Sequence, residues 1–397
     1  MSRFTRQSAD FRIFCQLLRG DQNELDILRR ELANASWDWN RFLEGARRHR
    51  VEQPLFTSLK AVEPLLVPDF VLTTLRADAR VAARNSLMQM REIARLAQYF
   101  SRASIPLMAL KGVSLSAQLD RDPGLRNSRD IDLLIAPDQR ASADGLLREA
   151  GYRDADLPTP ELAANGYYWW GKESKYVHPE NRTLVELHYR LSDNTALLDY
   201  DFHDLWREHE TVEVGGVPIA VMSRGHLPLY LCIHGAGHGW ERLCWLIDLS
   251  AALAFPGAVK GALDAAAEKG LIAPMLQAIL LAHDWLGLPV GEDILAQAKS
   301  CARVRRLNGI LYHFYGPSAW YRSPSRDSVA GFVRYSAWLR LYVYSLKPGW
   351  QYRKRQIARE FVAPADWTAF RLPRQLSWLY PVIRPFGWLL RRLMRLV

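Results

Sequence analysis

At about residue 102 the hydrophobic period of the sequence changes abruptly, and this break limits what the chain can fold into. From Asp10 to about Ser101 apolar residues recur every three or four positions, as in Phe11, Phe14, Leu17 and Leu18 and again in Leu87, Ile93 and Leu96, which is the spacing of packed helices. Ile105-Pro-Leu-Met-Ala-Leu110 and Ile131-Asp-Leu-Leu-Ile135 are instead short apolar runs of strand length, the first stopping at Lys111-Gly112. Between them Val113 to Leu119 has helical spacing, and Asp138 to Ala150 reads as a helix ending at Gly151, a natural position for a left-handed residue. Two more strands are expected on either side of an Asn181-Arg182 turn, at Lys175 to His178 and Thr183 to Tyr189, the second with alternating apolar and polar residues. Beyond Ser223 the helical period returns, through Leu227 to Phe255, Val259 to Leu286 and Ile294 to Tyr315, then less clearly to Leu346. The expected fold class is therefore α+β. A small mixed-sheet unit at 102–222 lies between an N-terminal helical region at 1–101 and a C-terminal helical domain at 223–346, and a tail at 347–397 opens at the Lys347-Pro348-Gly349 turn.

The 397 residues are 49% hydrophobic and 24% charged, which excludes a disordered or collagen-like chain and leaves ample material for more than one core. The formal charge is +10 and points toward an anionic partner: nucleotide, nucleic acid or lipid headgroup. Most of the excess is in the tail, where 11 lysines and arginines from Lys347 onward face only Glu360 and Asp366. Cys15, Cys232, Cys244 and Cys301 have no CxxC spacing, so neither a disulfide framework nor a cysteine zinc site is expected, and a reducing cytoplasm fits best. Met1 to Gly20 interrupts its apolar residues with Arg3, Arg6, Asp10, Arg12 and Arg19, unlike a signal-peptide core. No apolar stretch has the length needed to span a bilayer.

Chemistry is concentrated around the two short apolar runs. Residues two apart in a strand share a face, so Asp130 and Asp132 present paired carboxylates at the start of the second run. The later strand supplies Glu186 and His188, again on one face, and its carboxylate joins the first two if the strands are neighbours. Carboxylates about 6 Å apart repel by roughly 3 kcal/mol per pair at an effective dielectric near 20, a cost that a divalent cation removes. Magnesium suits such a site, because it is hard, takes oxygen ligands and keeps positions for substrate phosphates. Gly112 lets backbone approach a phosphate ahead of a helix N-terminus, and Lys111, Arg126 and Arg129 add cations nearby. An isolated Asp-x-Asp is more often structural; here a strand, a glycine turn, a helix and a matching acidic strand accompany it.

Leu110-Lys-Gly-Val-Ser114, Gly124-Leu-Arg126, Asp130-Ile-Asp-Leu-Leu134, Val185-Glu-Leu-His188 and His234-Gly-Ala-Gly-His-Gly-Trp240 together resemble the bacterial "uncharacterised nucleotidyltransferase" family of the DNA polymerase β superfamily. The resemblance covers about residues 100 to 255 well and implies a minimal polymerase β-type palm, two catalytic metals and transfer of a nucleotidyl group from a nucleoside triphosphate to an acceptor. Gly112 and Ser114 then match the phosphate-binding turn, Asp130 and Asp132 the paired metal carboxylates, and Glu186 the third acidic position. Val113 separates Gly112 from Ser114, where the superfamily has Ser directly after Gly, and Ser116 is a competing hydroxyl. In the implied mechanism two magnesium ions, or manganese, bridge Asp130, Asp132 and the triphosphate, Glu186 completes the nucleophile side, and Lys111 and Arg126 stabilise the phosphates in transit.

Three further features leave alternatives open. His234 and His238 are four apart, the spacing of a helical zinc pair without an evident third ligand; docking of that helix on the palm, with a histidine reaching nucleotide or acceptor, and ordinary core packing are the other readings. Tyr167 to Trp170 is a four-aromatic run suited either to stacking a base or to a core. The tail mixes arginines with tryptophans and leucines, as in a segment that lies in an anionic membrane interface at the inner face, grips an anionic polymer or packs on its own domain. The leading function is a magnesium-dependent nucleotidyltransferase whose acceptor is a small molecule, protein or RNA. The competing ones are a catalytically silent nucleotide-binding scaffold at a membrane-associated biosynthetic complex and an RNA-directed enzyme or binder.

Overall fold

Strands begin where the helical period breaks off. The structure, a computed structural model, describes residues 9–20, 29–30, 32, 37–62, 66–123, 126, 128–155, 171–315, 319–322, 329–361, 372, 374–380, 382–384 and 386–387. In chain order the elements that matter are α1 (Ala9–Arg19), α2 (Trp39–His49), α3 (Glu52–Ala61), α4 (Asp69–Arg102), β1 (Met108–Ala109), α5 (Val113–Gln118), β2 (Asp130–Leu134), α6 (Arg140–Glu149), β3 (Arg153–Asp154), β4 (Glu173–Val177), β5 (Leu184–His188), α7 (Phe202–Arg207), β6 (Glu210–Val214) and β7 (Val217–Val221). Helices follow: α8 (Leu227–Gly237), α9 (Leu243–Leu253), α10 (Ala258–Glu268), α11 (Ile272–Leu286), α12 (Glu292–Ser300), α13 (Ala302–Tyr315), α14 (Val329–Ser345) and α15 (Trp350–Phe361). The fold is α+β, as expected. Among the described residues no single helix is long and apolar enough to cross a membrane.

The chain packs as two units. One comprises residues 92–112, 129–221 and 348–397 and holds the whole seven-stranded sheet, in the order β3-β4-β5-β2-β1-β7-β6. β2 runs parallel to β5 and β1 parallel to β7, while the remaining neighbours are antiparallel, so the sheet is mixed. One sheet face is apolar: Leu133, Tyr176, Val185 and Leu187 are fully buried, and the Tyr176 hydroxyl donates to the Asp144 carboxylate of α6. At the same level Tyr152 donates to Glu92 at 2.7 Å, and Arg95 pairs with Glu92 at 2.6 Å. Burial alone would raise the Glu92 carboxyl, but the bonds from Arg95 and Tyr152 outweigh it and hold the group below its ordinary value. That contribution to stability is present above the unfolded-state value and is lost as pH falls through the folded one.

The other unit comprises residues 1–91, 113–128 and 222–347 and is helical. Of the residues picked out by spacing, Phe11, Phe14 and Leu17 of α1 are fully buried, with Phe14 against Phe42 at 5.1 Å and Trp320 at 5.0 Å between ring centroids, while Leu18 is half-buried and Leu87 of α4 faces out at 63% exposure. α11 is buried on nearly all sides, and its one polar core residue, Gln277, is satisfied by Tyr342 at 2.6 Å and Asn308 at 2.9 Å. α8 continues through Gly235, where a Cβ would fall 2.2 Å from the Trp240 ring. The glycines that looked helix-weakening in the sequence therefore include one that gives a buried tryptophan its seat.

The β6–β7 hairpin carries no expectation from the sequence reading, although Val-Glu-Val-Gly-Gly-Val-Pro-Ile-Ala-Val (212–221) alternates around a two-glycine turn, a recognisable hairpin signal. Gly215 and Gly216 both take positive φ, as such a turn demands. The Tyr167–Trp170 run, Gly124, Leu125 and the chain beyond Gly387 lie outside the described residues.

Candidate active site

Parallel pairing of β2 with β5 decides what the carboxylates can do together. The register sets Asp132 opposite Glu186 and Leu134 opposite His188. Antiparallel β4, joined to β5 through the Asn181-Arg182 turn, sets Lys175 opposite Glu186 and Glu173 opposite His188. Because paired residues and residues two apart share a face, Asp130, Asp132, Glu173, Lys175, Glu186 and His188 all lie on the face opposite the apolar one. Asp132, Glu186 and His188 each offer a ligand atom, and these atoms lie within 4.8 Å of one another. Asp130 stands two residues before Asp132 at the partly exposed start of the strand.

Lys111 enters from the end of β1. The Leu110 N–H donates to the Asp132 carbonyl at 3.1 Å, which carries the β1–β2 ladder one residue past β1, and the chain then turns at Gly112 with φ +72. This turn is left-handed, a conformation that costs any residue with a Cβ about 1–2 kcal/mol. Lys111 Nζ lies 2.9 Å from Asp132 Oδ1, and His188 Nε2 lies 3.0 Å from the same oxygen. Lys111, Asp132 and His188 are all shielded from solvent, their side chains 10%, 2% and 1% exposed. A buried carboxylate so placed requires its cation.

The electrostatics follow from this crowding. Burial works against the ionised Asp132, yet the Lys111 ammonium and the His188 hydrogen bond prevail and hold its carboxyl well below the usual range. Burial likewise works against a charged Lys111; Asp132 first, then Asp130 and Glu186, raise it above its ordinary value. Glu186 is shifted the other way from Asp132, because burial and the neighbouring Glu173 and Asp132 carboxylates raise it despite Lys175 Nζ at 2.8 Å. Glu173 overcomes its burial through His188, 3.4 Å away, and Lys172, 2.6 Å away, and is drawn down to about 2. Four carboxylates and one histidine thus share one face with Lys175, and Lys111 and Lys172 reach their carboxylates from just outside β1 and β4.

Glu173, Lys172 and Lys175 did not figure in the sequence reading of the site. The signal was present, since fixing the Asn181-Arg182 turn also fixes β4 against β5 and places Lys175 beside Glu186.

The remaining residues singled out in the sequence belong to the helical unit or its edges. Ser114 lies in α5, fully buried, and its hydroxyl has no hydrogen-bond partner among the described residues. Arg126 Nη1 pairs with Asp248 Oδ2 at 2.5 Å, while Ser86 donates to the Arg126 carbonyl at 2.6 Å and Gln89 to the Ser128 carbonyl at 3.2 Å. Arg129 is exposed. His234 sits in the last turn of α8 and His238 at its C-cap, with ring centroids 5.0 Å apart and Trp245 at 5.3 and 5.0 Å from them. Neither belongs to a group of three possible metal ligands among the described residues. Asp248 faces Arg126 and Arg121.

Carboxylates gathered on adjacent parallel strands, with cations poised over them, are the equipment of enzymes that transfer phosphoryl and nucleotidyl groups. Residues 35–287 match the model of the uncharacterised nucleotidyltransferase family, and the chain belongs to that family. It is accordingly a transferase of nucleotidyl groups. Among solved structures, the chain is similar to the antibiotic-resistance factor ANT(2'')-Ia in solution, at 16% identity over 46% of this chain and 91% of that one, with a TM-score of 0.35. ANT(2'')-Ia crystallised with adenylyl-2''-tobramycin gives 16% identity over 45% and 96%, with a TM-score of 0.34. An antigenic nucleotidyltransferase-like protein from Paracoccidioides brasiliensis gives 15% identity over 48% and 92%, with a TM-score of 0.29. No curated protein matches the chain significantly.

Proposed function

We infer that the protein is a magnesium-dependent nucleotidyltransferase that moves a nucleoside monophosphate from a nucleoside triphosphate to an acceptor hydroxyl, with release of pyrophosphate. The observation that carries this reading is the in-register pairing of Asp132 with Glu186, with His188 completing a ligand group within 4.8 Å. The donors fit a hard divalent cation, since carboxylate oxygens predominate and Asp130 adds another from the same strand face. Asp130, Asp132 and Glu186 would hold the metal. When bound, magnesium or manganese supplies charge for the phosphates and acidity for the acceptor hydroxyl.

The chain's own residues do the rest. Asp132 Oδ1 holds Lys111 and His188, so Lys111 stands at the carboxylate that would hold the metal, where its ammonium would meet a phosphate bound there. His188, pinned between Asp132 and Glu173, keeps the Asp132 carboxylate oriented. Lys175 restrains the Glu186 carboxylate from the β4 side. In this reading Gly112 brings backbone N–H groups to the triphosphate, and Arg129, exposed just before β2, contributes a further contact to it. The enzyme works in the cytoplasm, where the nucleotide is plentiful.

Incubation of the full chain with each nucleoside triphosphate and a cell extract is expected to release pyrophosphate only when magnesium or manganese is present, and to yield a product heavier than its acceptor by one nucleotidyl group on mass spectrometry. Equal turnover in excess chelator contradicts the proposal.

A further inference from the structure

α15 has two faces of opposite character. Tyr352 and Gln356 are buried, and Asn194 donates to the Tyr352 carbonyl and to Gln356 Oε1, both at 3.2 Å. Arg359 pairs with Asp193 at 2.9 Å, and Arg355 donates to Thr195. The 193–195 segment therefore fixes the helix by one side and sets its rotation. At 100° per residue the opposite side carries Trp350, Arg353, Lys354, Ile357 and Phe361, at spacings of three, four, seven and eleven. Trp350 is 70% exposed, Ile357 41% and Phe361 53%, and Arg353 and Lys354 are exposed as well. An apolar stripe runs along the middle of this face, and a basic residue stands on either side of it.

We propose that this face of α15 is a docking surface for an anionic lipid bilayer, on which the helix lies in the plane of the interface. Trp350, Ile357 and Phe361 would enter the boundary between headgroups and acyl chains, and Arg353 and Lys354 would remain at headgroup level with their aliphatic stems along the stripe. Charge complementarity selects this occupant: the segment from Lys347 onward has 11 basic residues against two acids, which attracts anionic headgroups and repels a second copy of the same face. A nucleic acid would satisfy the cations and leave Ile357 and Phe361 in water. The inference stands on α15 and the charge of the segment that carries it, and is independent of the catalytic reading.

The test is co-sedimentation of the full chain with vesicles of phosphatidylcholine alone or mixed with phosphatidylglycerol. Binding is expected only to the mixed vesicles and is expected to weaken with salt. The triple variant Trp350→Ala, Ile357→Ala, Phe361→Ala should lower partitioning by at least about tenfold, and Arg353→Gln with Lys354→Gln by roughly thirtyfold. All five side chains are exposed, so circular dichroism and nucleotidyl transfer should not change in either variant. The proposal is overturned if the wild-type chain ignores the mixed vesicles, if it binds both vesicle types equally, or if the triple variant binds as the wild type does. Binding to a single-stranded RNA oligomer that the basic-residue variant abolishes, without vesicle binding, assigns the face to nucleic acid and overturns it equally.

Discussion

Asp132→Asn is expected to reduce nucleotidyl transfer by about a thousandfold or more, because it removes charge from the carboxylate on which both Lys111 and His188 converge. Asparagine keeps the shape of the side chain but turns an acceptor pair into an amide. Lys111 Nζ, 2.9 Å from Asp132 Oδ1, then faces a neutral partner inside the protein, with Asp130 and Glu186 as its remaining counterions. Removing one member of a buried pair costs about 3–5 kcal/mol where nothing compensates, and those two carboxylates reduce the figure here to about 2–3 kcal/mol. Urea denaturation checks the stability loss, and pyrophosphate release checks the activity under conditions where the variant is folded. Activity within tenfold of wild type would remove Asp132 from the chemistry.

Asp248→Ala should destabilise the helical unit strongly, by about 3–5 kcal/mol. Arg126 is only 16% exposed, and its guanidinium lies 2.5 Å from Asp248; Arg121 stands 3.8 Å from the same carboxylate. Without Asp248 two guanidinium groups lose this carboxylate. The double change Asp248→Ala, Arg126→Met is expected to recover most of the loss, leaving a deficit of about 1 kcal/mol, since replacing both members of a buried pair is far cheaper than stranding one. Thermal or urea unfolding of the four proteins completes the cycle. If Asp248→Ala alone costs less than about 1 kcal/mol, the pair is ornamental. The same ion pair, with Ser86 and Gln89 on the carbonyls of 126 and 128, anchors the stretch that leads into β2.

The central strands and their acidic residues were legible in the sequence because their chemistry is local. A break in period, an Asp-x-Asp at a strand start and a Glu-x-His on a later strand are short-range patterns, and Asp130–Leu134 and Leu184–His188 fall within a residue or two of where those patterns put them. Local pattern does not specify which strands are neighbours. Whether Glu186 meets Asp132 depends on β5 lying parallel beside β2, a long-range pairing that the spacing of residues leaves open. The same holds for Lys111 and His188 converging on one oxygen of Asp132. Glu173 and Lys175 were reachable through the hairpin register, and the β6–β7 hairpin through its glycine pair. The α15 helix was hidden in a stretch read for its charge, because four of its twelve residues are Lys or Arg and its apolar residues are divided between a docked face and an exposed one.

Binding of Mn2+, followed by the loss of its free-ion electron paramagnetic resonance signal as protein is added, addresses the metal-binding claim without depending on the acceptor. In the presence of a non-hydrolysable nucleoside triphosphate the wild-type chain should deplete the free-ion signal beyond what the nucleotide alone achieves, and Asp132→Asn should not. A wild-type chain and an Asp132→Asn chain that deplete the signal equally would show that β2 and β5 do not form a cation site.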